Sequence, residues 1–300
     1  MSSNRLAKKV RYALRFLPDE LYIQLNYFAH FKKFANLKKP VTYNEKLNWL
    51  KLHDHNPLYT MLVDKYEVKK YVEKIIGDGG GGGGGIIPTL GIWERFEDIN
   101  FEALPNQFVL KCTHDSEGLV IVKNKNLLDK KAAKVKIENC LKQNFYCIGR
   151  EWPYKNVKPR IIAEKYMEDA ETGELRDYKF FCFNGEPKAM FIASDRNSGH
   201  VKFDYYDMEF NHLDITQKYP NAEIPNKKPN CFNEMIVLAE KLSFGIPHVR
   251  VDLYEVNGNI YFGEMTFFHF SGFIPFRPNN WDKVFGDWLI LPAKKVKRQL

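Results

Sequence analysis

No two cysteines in this 300-residue chain stand in a C-x-x-C spacing, and the five that occur, Cys112, Cys140, Cys147, Cys182 and Cys231, are odd in number. That excludes a zinc ribbon and argues against a disulfide framework, so a reducing, cytoplasmic setting is expected. No apolar run approaches the roughly 18 residues a membrane span needs, and the first residues lack the apolar core and cleavage site of a secretory signal. Neither a membrane-spanning nor an exported chain is expected. No Walker A sequence occurs, and no basic run is interleaved with stacking aromatics, so nucleic acid is not an expected partner. His53 and His55 have no further His or Cys nearby at metal-ligand spacing, and they read as a solvated helix end.

What is present is ample core material: 44% apolar and 15% aromatic residues. Lys and Arg number 45 against 37 Asp and Glu, a formal charge of +8 concentrated at the ends. At the start stand Arg5, Lys8, Lys9, Arg11 and Arg15, and at the finish Lys294, Lys295, Lys297 and Arg298. Leu6, Val10, Ala13, Leu14 and Leu17 recur at helical spacing among the first of these. A packed helix with a solvated charged face is favoured there, and peripheral association with the inner face of the membrane is the alternative.

Residues 43–72 read as helical, with Pro57 placed to open a second helix. Seven consecutive glycines, 79–85, then form a segment expected to act as a flexible loop. Their trivial match to G-x-G-x-x-G carries no information. Beyond them come strand-like runs at 108–110, 119–122, 160–163, 178–183 and 189–193, with helices at 130–143 and 233–242. A final hairpin, 248–256 and 259–266, is joined through Asn257-Gly258, a strong turn signal. The pattern predicts an α+β fold.

Chemistry concentrates in that hairpin. Val249, Val251 and Leu253 alternate with Arg250, Asp252 and Tyr254, so an arginine and a carboxylate leave one face together. A plain two-residue turn would send Asp252 and Glu264 to opposite faces. A three-residue loop would set them directly opposite, about 5 Å apart at Cβ. Two carboxylates that close call for a cation, and magnesium is the natural oxygen-bound candidate; a pair of surface acids is the plain alternative. Upstream, Lys111 ends a short strand beside Cys112-Thr113-His114-Asp115-Ser116-Glu117-Gly118, a loop suited to phosphate. Core packing is the default for Cys112. Glu164, Lys165, Tyr166 and Met167 end another strand and can offer backbone groups and packing to a purine edge.

In order, Asp64-Lys65, Phe108 to Lys111 with its loop, Glu164 to Met167, Arg250-Val251-Asp252 and Gly263-Glu264-Met265-Thr266 resemble the ATP-grasp enzymes. Asn44-Glu45-Lys46-Leu47, Ile87-Pro88-Thr89-Leu90-Gly91, Asp177-Tyr178-Lys179-Phe180-Phe181 and Ser271-Gly272-Phe273 are similar to the TupA-like branch, named for teichuronopeptide biosynthesis. The resemblance covers roughly residues 20–292. It implies an ATP-grasp fold in which two α+β lobes clamp a nucleotide, behind a helical N-terminal region. The corresponding divisions are 1–88 (helical, with the glycine loop), 89–165 (first lobe), 166–292 (second lobe, with the metal site) and 293–300 (basic tail).

The resemblance also implies cofactors, ATP and Mg2+, and roles. Lys65 and Lys111 match phosphate-binding lysines; His114, Ser116 and Gly118 belong to the phosphate loop and lid. Glu164, Lys165, Tyr166 and Met167 match the adenine hinge, and Glu171 a ribose contact. Asp252, Glu264 and Thr266 match the metal ligands, Thr266 replacing an asparagine found in many ATP-grasp enzymes. Arg250 would steady the anionic intermediate and Lys179 reach the terminal phosphate, while Asp195, Arg196, His269 and Ser271 would hold substrate. The implied activity is an ADP-forming carboxylate–amine ligation through an acyl phosphate, joining an amino acid or similar amine to a sugar acid in bacterial surface polysaccharide assembly. Two alternatives stand beside it. One is a kinase of a sugar hydroxyl. The other is a non-catalytic subunit using the aromatic stretch 267–288 as an interface, though core packing is the plainer account of that stretch. Retention of Lys65, Lys111, Asp252 and Glu264 together favours catalysis.

Overall fold

The computed structural model describes residues 13–77, 85–171, 173–195 and 199–293. Arg5, Lys8, Lys9, Arg11, most of the glycine run, Arg196 and the tail from Lys294 lie outside them. The chain begins with four helices: α1 (Asp19–Phe31), α2 (Tyr43–His53), α3 (Leu58–Val63) and α4 (Glu67–Ile76). Pro57 precedes α3 as its N-cap, as its fixed φ predicts. The Thr42 and Glu45 side chains form a capping box on α2, satisfying orphan N–H groups at both positions. Asp64 does the same for α4, accepting from the N–H groups of Tyr66 (2.8 Å) and Glu67 (3.2 Å). Residues 14–16 make a 3₁₀ turn, and most of the amphipathic helix expected from Leu6 to Leu17 lies outside the described residues.

Two sheets follow. The smaller contains β2 (Thr89–Trp93), β3 (Phe108–Cys112), β4 (Leu119–Val122) and β5 (Ile161–Lys165) in the order β2-β5-β3-β4. Helix α5 (Lys130–Leu141) covers it, burying Ala133, Ile137 and Cys140 against Phe108, Leu110, Cys112, Ile161 and Ala163. Cys112 is therefore a core residue, and burial pushes its thiol pKa up. A short α6 (Tyr146–Gly149) precedes β5.

The larger sheet holds β1 (Gly85–Ile86), β6 (Asp177–Phe183), β7 (Glu186–Ser194), β8 (Lys202–Tyr206), β9 (His212–Leu213), β10 (His248–Val256) and β11 (Asn259–Thr266), ordered β1-β11-β10-β6-β7-β8-β9. β1, just after the glycines, pairs parallel with β11; the other neighbours are antiparallel. Alternation along each strand sends two apolar sets to opposite faces. Phe180, Cys182, Val249, Val251 and Leu253 face α7 (Phe232–Ser243), which brings Phe232, Met235 and Ala239. On the other face Phe181 and Phe183 meet Tyr43 of α2 and Phe285 of α8 (Asn280–Trp288) edge to face. Helices α2, α3 and α4 thus share one core with the large sheet, while α1 packs in a separate cluster. Phe267, Phe268, Phe276 and Phe285 lie buried in that core, so packing accounts for these members of the aromatic stretch.

Candidate active site

The second face of the large sheet also carries a row of charge. Asp252 on β10 is paired with Lys179 on β6 to one side and with Glu264 on β11 to the other, so the three side chains share one face. The pairing is the one expected from a three-residue loop, but the loop is not its cause. Asn257-Gly258 is a two-residue turn, with both residues at positive φ (51° and 73°) and Val256 paired to Asn259. The carboxylates are brought opposite by a β-bulge: Leu253 pairs with Phe262 and Asp252 with Glu264, leaving Gly263 over. Glycine is needed there for space, because a Cβ would come within 2.9 Å of both the Asp252 carbonyl oxygen and the Tyr254 ring.

Asp252 is fully buried, and a buried carboxylate must be paired. Arg250 grips it with two parallel bonds, Nε to Oδ1 at 2.7 Å and Nη2 to Oδ2 at 2.8 Å, and Lys179 Nζ donates to Oδ2. The same guanidinium reaches Thr266 Oγ1 (3.0 Å) and His269 Nδ1 (2.8 Å). Since Nδ1 accepts, Nε2 carries the proton and donates to Gln217 Oε1 at 2.8 Å. Burial beside Arg250 holds the His269 pKa well below the ordinary value, so the ring is a neutral brace. Glu264 is looser: Arg250 Nη2 lies 3.7 Å away and Lys65 Nζ 3.9 Å. Desolvation works to raise its pKa, but Lys65, Lys179 and Arg250 outweigh it and lower the value.

Lys65 joins the two sheets. Its backbone N–H donates to Thr113 O and its Nζ to Asp115 O, both in the loop between β3 and β4, while the ammonium also faces Glu264. In the small sheet the Glu164 carboxylate is shared by Lys111 and Lys69, each at 2.6 Å. Glu164 is desolvated, yet these two cations hold its pKa below the usual range. The loop 113–118 is tied down: Cys112 N–H donates to Gly118 O (2.8 Å) and Gly118 N–H to Asp115 Oδ1 (3.0 Å). Ser116 and Glu117 remain exposed at its tip.

Several expected site residues stand elsewhere or do other work. The His114 side chain is buried, with Nε2 3.1 Å from Cys140 O and 3.2 Å from Gln143 O, so it fastens the loop to the end of α5 and does not face a ligand. Glu171 stands 3.9 Å from Lys227, in a recess lined by Tyr178 and Glu255. Those two belong to the face opposite Asp252, so the expected ribose contact is corrected. The cause is the turn's own docking: Asp169 Oδ2 accepts from Asn257 N–H and Ala170 N–H donates to Asn257 Oδ1. His269 and Ser271, expected to hold substrate, are committed internally, His269 to Arg250 and Ser271 Oγ to Glu151 at 2.5 Å. Lys165 gives its N–H to Pro88 O at 3.0 Å, while Tyr166 is half-buried with Lys123 over its ring. Met167 is half-buried beside it, and Asp195 is exposed at the end of β7. Lys69, Gln217 and Glu151 were not singled out from the sequence. Lys69 had a signal, lying one helical turn beyond Lys65, whereas Gln217 reaches His269 across 52 residues of chain.

Among the described residues no group of three or more His, Cys, Asp or Glu side chains is placed to hold a metal. Two opposed carboxylates and a hydroxyl still fit magnesium, which takes oxygen donors and completes its shell with water and phosphate.

The sequence model of the TupA-like ATPgrasp family matches residues 45–290. No curated protein matches the chain. Among solved structures, D-alanine–D-alanine ligase from Bacillus anthracis complexed with ATP is 15% identical with a TM-score of 0.38, covering 69% of this chain and 53% of its own. The enzyme of the same name from Helicobacter pylori is 13% identical over 79% of this chain and 60% of its own, with a TM-score of 0.41. A RimK domain ATP-grasp protein from Sphaerobacter thermophilus is 10% identical over 84% and 71%, also at 0.41. The chain thus spans about half the length of the first of these ligases. Matched by the family's model over most of its length, it belongs to the TupA-like ATP-grasp family.

Proposed function

We propose that the protein is an ATP-dependent, ADP-forming ligase that activates a carboxylate as an acyl phosphate and passes it to an amine, with a sugar acid as the carboxylate in bacterial surface polysaccharide assembly. One observation carries the reading: Lys65 stands between the 113–118 loop and Glu264, so the small sheet's loop and the large sheet's acidic row converge on one cation. A carboxylate is a poor electrophile, and phosphoryl transfer to it requires neutralising charge spread over the transferring oxygens. Magnesium bound by Asp252, Glu264 and Thr266 would supply part of that charge.

The chain's own groups supply the rest. Lys65 and Lys111 neutralise phosphate from the small-sheet side, with the exposed Ser116 as the loop donor, while Gly118 gives its N–H to Asp115 and shapes the loop. Lys179 leaves Asp252 for the terminal phosphate. Arg250, locked in orientation by Asp252 and His269, presents fixed positive charge to the anionic carbonyl centre. Glu164 positions Lys111, and Tyr166 with the backbone of Met167 packs on the purine. Asp195, at the end of β7, remains a substrate candidate, and so does Arg196 by its place in the sequence.

The test is ADP and phosphate release with Mg·ATP across uronic acids paired with mixed amino acids, using Asp252→Asn/Glu264→Gln as control. Turnover requiring both acid and amine, and lost in the double variant, is expected. Sugar phosphorylation without an amine would make the protein a kinase. Silence together with no nucleotide binding by calorimetry would favour a binding subunit.

A further inference from the structure

Helix α1 has apolar residues on two sides. Tyr22, Ile23 and Tyr27 are buried, and Ile23 and Tyr27 pack with Ala35, Leu37 and Phe273. On the outward side Leu21, Leu25 and Phe28 follow one another at helical spacing and remain 48%, 43% and 45% exposed. Phe34, 62% exposed, packs against Phe28 with the rings tilted and their centroids 5.1 Å apart, and Phe16, 79% exposed, stands three residues before α1. The stripe rests on a rigid base. The buried Arg150 guanidinium donates to the carbonyls of Leu14 (3.1 Å), Arg15 (2.9 Å) and Leu17 (3.2 Å), and Tyr22 Oη donates to Ile148 O at 2.7 Å. Five large apolar side chains held in water on a fixed frame ask for a partner.

Charge identifies its kind. Residues 13–41 contain five Lys and Arg against two Asp and Glu, while residues 42–293 contain 32 against 35. The sequence that carries the stripe is therefore net basic, and the rest of the chain to residue 293 is net acidic. Lys32, Lys33, Lys38 and Lys39 are exposed beside it, and Arg15 lies over the Phe16 ring at 4.3 Å. Of the two acids, Asp19 is held by Tyr146 Oη at 2.5 Å and Arg150 Nε at 3.4 Å. Only Glu20 stands exposed against the basic rim. A second copy docking through this face would set like charges against each other, since a two-fold interface repeats the same patch on both sides. An anionic lipid surface satisfies both features, taking aromatic and leucine side chains into the acyl boundary and Lys and Arg at the headgroups.

We propose that α1 and its flanking segments form a docking face for an anionic bilayer surface. The attachment is peripheral, since no helix among the described residues is long and apolar enough to cross a membrane. It is independent of the ligase reading. The frame beneath α1 also reaches the acidic site: Lys51 Nζ donates to Gly149 O (2.7 Å) and Ser271 O (2.6 Å), and Ser271 lies two residues from His269.

The experiment is co-sedimentation of the full chain with vesicles of neutral phosphatidylcholine and with vesicles in which about a third is phosphatidylglycerol. Partitioning at least roughly tenfold stronger to the anionic vesicles, and weakened by high salt, is expected. Leu25→Ser/Phe28→Ser/Phe34→Ser and Lys32→Glu/Lys33→Glu should each lower it about tenfold. Lys130→Glu/Lys131→Glu, on exposed α5, should leave it unchanged. Unchanged melting temperature certifies that the variants fold. Equal binding to both vesicle types, or variants that partition like the parent, would overturn the proposal. So would a dimer, detected by light scattering, that the serine variant dissolves.

Discussion

Replacing Gly263 by alanine tests whether the bulge sets the site. The added methyl would lie 2.9 Å from the Asp252 carbonyl oxygen, a backbone atom that cannot rotate aside, and 2.9 Å from the Tyr254 ring. Relief requires β10 and β11 to separate by a few tenths of an ångström where Asp252 faces Glu264. Overpacking of this kind costs about 1–3 kcal/mol. For a chain of this size that corresponds to a melting temperature lowered by roughly 2–10 °C. Activity should fall further than stability implies, since misplacing a reacting group by 1 Å costs on the order of a hundredfold; a loss of about 10- to 100-fold in Mg-dependent turnover is expected. Gly258→Ala is the matched control. Gly258 needs glycine for its φ of 73° and has nothing within 4 Å, so alanine there should cost about 1 kcal/mol and spare turnover. Differential scanning fluorimetry and the ADP-release assay read both quantities. If Gly263→Ala melts within 1 °C of the parent and turns over at the parental rate, the bulge does not fix the carboxylate pair and the argument fails.

Two further outcomes follow from buried charge. Arg250→Met should lower stability by about 3–5 kcal/mol in urea denaturation, because it strips two bonds from a fully buried Asp252 and leaves His269 Nδ1 without its donor; a loss under 1 kcal/mol would contradict this. The second concerns His248, which gives Nδ1–H to Cys182 O at 2.8 Å and accepts from Tyr43 Oη at 2.9 Å. Burial lowers its pKa to about 3, so between that value and the ordinary 6.5 the unfolded chain binds a proton that the folded chain refuses. The contribution is complete above pH 6.5 and declines on acidification, by roughly 2–3 kcal/mol at pH 4.5. His248→Gln should flatten this part of the stability profile, and a variant with the parental acid slope would refute the assignment.

The hairpin shows how far one sequence can be read. Its strands, its turn and the alternation of Arg250, Asp252 and Tyr254 are local, and local pattern predicts them correctly. The pairing of Asp252 with Glu264 is local too, but its signal lies in the strand and not in the turn. Phe262 and Met265 are both buried and three residues apart, whereas two residues on one face of a regular strand must be an even number apart. That break in parity marks the bulge. By contrast, the brace behind Arg250 joins His269 to Gln217, and the turn that carries Glu171 is steered by Asn257; each depends on which surfaces meet after folding. Helix α1 went unassigned for another reason. Its two apolar sides blur the one-sided periodicity by which a helix is recognised, and that blurring is itself the mark of its exposed stripe.

The charges of the site are paired with one another, which bears on how it would accept Mg·ATP. Asp252 is satisfied by Arg250 and Lys179, and Glu164 by Lys111 and Lys69, so these carboxylates hold Lys179 and Lys111, which the proposed chemistry assigns to phosphate. A buried unpaired charge would cost several kcal/mol, so a set of lysines waiting alone could not be kept in place. Pairing solves that problem and stores the cations in register. Lys179 would exchange Asp252 for phosphate, and the carboxylate oxygen it leaves would, with Glu264 and Thr266, be available to hold magnesium. Arg250 does not exchange: its fork is fixed by Asp252, Thr266 and His269 together, and it would meet the reaction already oriented.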